Sequence, residues 1–165
     1  MLQPEAWLRG PLPGVHPLLA PVIRSFEMAR EDVSLWTRDL ATPQIWLRPG
    51  GVAPIGFHLR HIPGSIDRLL TYAEGRPLDA KQMEFLAAEI EPGAGKEALM
   101  QAFLDGLREA EERVRLFDPA TLDQTRGVGR RQLPTTVAGL LIHVAEHTQR
   151  HVGQLITTVR LVIAT

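Results

Sequence analysis

Four separate stretches of this chain place apolar residues at alternating spacings of three and four, and that period limits the fold more than any other feature. The sets are Leu19, Val22, Phe26, Ala29, Val33 and Trp36; Ile55, Leu59, Ile62, Ile66, Leu69 and Ala73; Leu99, Phe103, Leu107, Ala110, Val114 and Phe117; and Val137, Leu140, Leu141, Val144, Leu155, Ile156, Val159 and Val162. With 3.6 residues per turn, each set forms one stripe along a helix, and a stripe of that width must be buried against other helices. No stretch shows the sustained two-residue alternation of a half-buried strand, so the expected class is all-α, a four-helix bundle.

Proline and glycine mark the boundaries. Pro4, Pro11, Pro13 and Pro17 make residues 1–17 an irregular lead-in, leaving 18–165 as a single domain. Pro43, Pro49, Gly50 and Gly51 place a loop between the first two helices, and Pro63 predicts a kink in the second, just after His61. Gly75 and Pro77 end that helix, and a short amphipathic piece from Ala80 to Ile90 precedes the break at Pro92, Gly93 and Gly95. A connection of roughly twenty residues is far longer than the usual loop between antiparallel helices. It predicts a long crossover between helices 2 and 3, which then run parallel. Asp118 and Pro119 close helix three, residues 119–134 read as a polar loop rich in arginine, and Thr135 or Thr136 is placed to cap helix four.

Composition removes several function classes. The chain carries 18 Lys+Arg against 19 Asp+Glu, so it has no basic field to hold nucleic acid or an anionic membrane. It has no cysteine, which leaves histidine and carboxylates as the metal ligands available. The first twenty residues lack the pattern of a signal peptide and no segment reaches membrane-spanning length, so a cytoplasmic protein is expected.

Five of the six histidines fall on two of the four helices. His143, His147 and His151 stand at four-residue intervals on helix four, a spacing that lets neighbouring imidazoles chelate one cation. On a helical wheel His151 sits at the margin of the apolar stripe, His147 ~40° further round and His143 ~40° beyond that, so His147 and His151 face a groove while His143 drifts outward. His58 and His61 lie on helix two, and two helices can converge on one ion. Periodicity places His58 nearer the stripe and His61 on its flank, which slightly favours His58, although Pro63 disturbs the wheel there.

Two rival motifs fail. His143, Glu146 and His147 spell H-x-x-E-H, but the 18 residues after His147 (165 − 147) contain no Asp or Glu to serve as the third ligand of such a protease. The Glu-x-x-His pairs of di-iron bundles are absent from the helices. The arginines at 126, 130 and 131 read as a solvated loop, with an anion clamp as the alternative, and Glu146 and Gln154 are candidates to orient ligand rings.

The segments GFHLRHIPGSIDRLL and HVAEHTQRHVGQL carry a resemblance to the DinB-like metal-binding four-helix-bundle proteins, and the order of long helices fits from Leu18 to Thr165. Carried over by position, the resemblance implies metal ligands His61, His147 and His151. Pro63 directly after the His61-Ile62 pair and Val152 in place of a frequent arginine depart from the family pattern. The resemblance also implies a homodimer and a divalent metal, Zn, Ni or Fe, since imidazole suits each of them. The activity it implies is transfer of a small thiol to an electrophilic small-molecule substrate, or hydrolysis. The alternative is a non-catalytic binding or stress-response bundle in which the metal only ties two helices together. No catalytic base is assigned by the sequence.

Overall fold

The computed structural model describes residues 4–164; residues 1–3 of the lead-in and Thr165, the last residue of the expected domain, lie outside the described residues. Among these the chain is mostly helical. Five α-helices form, α1 (Ala20–Thr37), α2 (Ile55–Ala73), α3 (Ala80–Ala88), α4 (Lys96–Arg115) and α5 (Val137–Ile163), with one small hairpin of β1 (Thr125–Val128) and β2 (Leu133–Thr136).

The four long helices are those the apolar stripes announced, and they bury them in one shared core. Phe26, Ile45, Leu59, Ile62, Phe103, Leu107, Val144 and Leu155 are all buried there. Helix α1 packs on α5 and α4, and α2 packs on α4 and α5. The side-chain bonds give the pairings: Arg30 meets Glu111 and Thr37 meets Met100 across α1 and α4, while Arg113 reaches back to Asp67 and Glu74 of α2. Helix termini follow the local chemistry. Asp79 and Gln82 form a reciprocal capping box at the start of α3, and the Thr136 hydroxyl accepts from the Gly139 amide to cap α5. The lead-in is fastened to α1, Arg9 binding Glu31 with two nitrogens and Arg24 donating to the Gly10 carbonyl.

Two expectations change. The polar stretch 119–134 is not a plain loop but contains the hairpin, paired Thr125↔Thr136 through Val128↔Leu133. Strands of four residues are too short to display alternation, and a two-stranded ribbon tolerates Pro134 because both strands are edges. Gly129 and Gln132 take positive φ at the turn, and the Arg126 Nε–H donates to the Ala73 carbonyl at 2.8 Å, holding the ribbon on the end of α2. Helix α4 stops at Arg115, before Asp118 and Pro119. Helix α2 carries Pro63 inside a single helix from Ile55 to Ala73.

Packing accommodates the proline. Pro63 stands against Gly106 of α4, where an added Cβ would lie 2.6 Å from the proline Cβ, so the missing side chain lets the two helices close over the ring. Gly106→Ala should therefore lower stability. The overpacking cost of about 1–3 kcal/mol exceeds the ~1 kcal/mol that alanine gains in helix propensity. Gly153→Ala on α5, where an added Cβ meets nothing within 4 Å, should instead raise stability by roughly 0.5–1 kcal/mol. Thermal unfolding of both variants beside the wild type checks the opposite signs.

Candidate metal centre

The groove between α2 and α5 brings three histidines together. His61 from α2 and His147 and His151 from α5 each offer a ring nitrogen, and these atoms all lie within 4.8 Å of one another. Their ring centroids are 5.2 Å (His61 to His147), 4.3 Å (His61 to His151) and 4.5 Å (His147 to His151) apart. The i,i+4 spacing on α5 supplies two of the three, and α2 supplies the third from the flank of its stripe.

What distinguishes this cluster from a chance meeting of imidazoles is that each ring has a protein partner at Nδ1. His61 Nδ1 is 2.6 Å from the Glu89 carboxylate, His151 Nδ1 is 3.1 Å from His58 Nδ1, and His147 Nδ1 stands 3.4 Å from the Ser65 hydroxyl oxygen. A carboxylate only accepts, so the His61 proton sits on Nδ1. The Ser65 hydroxyl already donates to the Ile62 carbonyl at 3.0 Å, which leaves its oxygen to accept from His147. In all three rings Nε2 is the nitrogen left free, and one imidazole nitrogen held by a partner while the other is exposed to a shared point is how ligating histidines are oriented.

His58 is not in this group. It is 2 % exposed, turned into the core side of α2, and it backs His151. The wheel was right that His58 lies nearer the apolar stripe, and from there its Nδ1 meets His151 Nδ1 at 3.1 Å instead of joining the other three rings. His143 also stays outside. It is half-exposed and pairs with Glu146, whose same oxygen accepts from Arg150, so Glu146 is engaged on the surface and Gln154 is exposed as well. The partners that orient the rings are Ser65, His58 and Glu89. Ser65 and His58 share the motif segment of α2, but Glu89 comes from the crossover, and no spacing rule connects residue 89 to residue 61.

Burial and repulsion from neighbouring rings disfavour protonation of His58, His147 and His151. Burial, then the proximity of His61, pushes His58 down to about 4. His147 is lowered to about 4 by burial, with His61, His143 and Arg150 adding to it, and His151 to about 3 by burial and then His61, His147 and His58. Phe57 contributes to the apolar wall, stacked on His61 at 4.9 Å and edge-on to His58 and His151. Neutral imidazoles at His147 and His151 keep their lone pairs for a cation, and with no carboxylate among the three clustered side chains a divalent charge would stay uncompensated at the ligands themselves.

Residues 25–155 match the family model of the DinB superfamily. No curated protein matches the chain.

The lowered values fix a pH dependence for the metal-free protein. An unfolded chain takes up protons near the ordinary histidine value of about 6.5 while the native rings resist until about 4 or below, so the unfolded state gains first as pH falls. Stability should be full above pH 7 and decline between about pH 6.5 and 5, a window above the carboxylate range. Chemical denaturation of metal-free protein across that window checks it, and a flat profile contradicts the assignment.

Proposed function

The chain belongs to the DinB superfamily, and on that premise we propose that it is a divalent-metal-dependent enzyme acting on a small electrophilic substrate with a small thiol or water as nucleophile. The observation that carries this reading is the arrangement of His61, His147 and His151, three rings in reach of one point with their Nδ1 atoms engaged elsewhere. The donor set fits a borderline-soft divalent ion such as Zn, Ni or Fe. A three-imidazole site supplies Lewis acidity with a coordination position to spare, which favours the deprotonated form of a thiol or water at neutral pH.

The chain's own residues do the rest. His147 and His151 hold their positions because α5 runs unbroken through both, and His61 is kept in register by its carboxylate partner and by the Phe57 ring. Between the start of α2 and the face of α5 lies a cavity of about 510 Å³ lined by His58 together with Val52, Ala53, Arg150, Gly153 and Gln154. Its size suits a small molecule. Arg150, whose guanidinium donates to Glu146 at 2.6 Å, would take a carboxylate of the substrate or thiol in exchange for that partner.

The same reading extends to the architecture. We assign residues 18–165 to a single domain, a four-helix bundle of α1, α2, α4 and α5 with a long crossover through α3, and a homodimer as its assembled form. Pro63 against Gly106 followed by Asp67 and Glu74 against Arg113 supports parallel α2 and α4. No helix among the described residues is long and apolar enough to cross a membrane.

Metal-depleted protein titrated with zinc should bind one ion per chain, and His147→Ala or His61→Ala should lose most of that affinity. His58→Phe should retain stoichiometric binding with weaker affinity, because the ring it replaces backs a ligand rather than acting as one. Calorimetric titration of the four proteins reads this directly, and equal loss in all three variants would return His58 to the ligand set. In a panel of small thiols and electrophiles, the zinc-loaded wild type should turn over substrate and His147→Ala should not. Full metal loading without turnover, together with a large loss of melting temperature on chelation, would favour a purely structural ion.

A further inference from the structure

The burial pattern of α3 and the residues just after it is inverted. Met83, Phe85, Leu86 and Ile90 are 40–44 % exposed, while Glu89, at the end of the helix, is 2 % exposed. Burying a carboxylate while neighbouring apolar side chains stay in water is the opposite of what packing alone selects.

The structure around Glu89 holds it there from several directions. Its Oε1 accepts from the Arg68 guanidinium at 2.8 Å, and Arg68 is itself buried. Its Oε2 is 2.6 Å from His61 Nδ1. The Arg60 guanidinium donates to the carbonyls of Ala88 and Glu91, both at 2.7 Å, fixing the chain on either side of Glu89. At the other end of α3, Gln82 donates to Asp67 and Thr71. Gly64 provides the seat: a Cβ there would come within 2.6 Å of the Phe85 ring and 2.8 Å of Glu89 Oε1.

We propose that Glu89 is a positioning residue for the metal centre, braced by Arg68, which holds the His61 proton on Nδ1 and so presents Nε2 as a lone pair. The proposal rests on the metal reading given above. It makes the crossover helix part of the site, although none of its residues is a ligand. Arg68 also sets the polarity of the pair, because a guanidinium can only donate and so fixes which carboxylate oxygen is left for His61.

That fixed polarity makes the test specific. In Glu89→Gln the amide carbonyl must stay on Arg68, which turns the NH2 toward His61 Nδ1. The ring then has to accept at Nδ1, and its proton moves to Nε2, the nitrogen needed for the metal. Zinc affinity, measured by competition with a chromophoric chelator, should fall ten- to hundredfold or more, the range expected when the partner of a ligating histidine is lost. In the metal-free protein, long-range proton–nitrogen NMR of the His61 ring should change from the Nδ1–H to the Nε2–H tautomer. Adding Arg68→Met frees the amide to turn its carbonyl to His61, so the double variant should recover part of the affinity and the original tautomer.

Glu89→Gln with affinity within twofold of wild type, or a loss of affinity that leaves the tautomer unchanged and is not relieved by Arg68→Met, overturns the proposal. A wild type that binds no zinc overturns the metal reading, and the brace falls with it. Wild-type binding that survives Glu89→Gln removes the brace alone.

Discussion

A buried polar group without a partner costs roughly 1–3 kcal/mol, and more when it is charged, so the polar residues inside α2 dictate much of what must surround it. His58, Ser65, Arg68 and Thr71 are all buried on this one helix. Each is paired: His58 with His151 on α5, Ser65 with the Ile62 carbonyl, Arg68 with Glu89 beyond α3, and Thr71 with the Asp67 carbonyl and Gln82. Among the described residues no buried side-chain nitrogen or oxygen is left without a hydrogen-bond partner. The apolar stripes bring the long helices together, but this pairing sets how α2 is turned between α5 and α3. A rotation of α2 that kept its leucines and isoleucines buried would strand the arginine and the imidazoles.

The long helices were legible in the sequence because a stripe is a local property, repeated every three or four residues and independent of what lies opposite. The α5 pair was legible for the same reason, His147 and His151 being related by one helical turn. The α2 member of the cluster was not fixed by periodicity, which leaned to His58. The stripe says which side of a helix is buried, and it is His61, at the border of that side, that stands with His147 and His151, while His58 meets His151 from behind. The resemblance implied His61 without this argument.

What stayed hidden depends on contacts between distant residues. Glu89 looks like any charged residue on a short amphipathic helix, and only the closure of α3 onto Gly64 brings it to a ring 28 residues away. The hairpin was hidden because its strands have four residues each, and because Arg126, which reads as a loop charge, is spent on the Ala73 carbonyl that the end of α2 leaves unpaired. Pro63 hides its setting in a third way. A proline costs a helix one internal bond, but the glycine that receives it belongs to another helix, and the sequence around Pro63 carries no trace of Gly106.

The same network bears on which ligands the centre favours. Three neutral imidazoles would contribute no charge, so a divalent ion held there would keep its full +2 at the first contacts, with the Glu89 carboxylate one ring away. Arg68 offsets that carboxylate and Glu146 offsets Arg150, so the ion's own charge would set the sign. The balance would be net positive in a groove walled by Phe57, where the effective dielectric is lower than in water and charge counts for more. A site so loaded would prefer an anion in the open position, a thiolate or a deprotonated oxygen, over a neutral ligand of the same size. It would do so less if Glu89 stood unpaired. The Arg68 brace therefore serves orientation and charge at once, which gives a physical reason for keeping an ion pair buried where an apolar pair would have packed at lower cost.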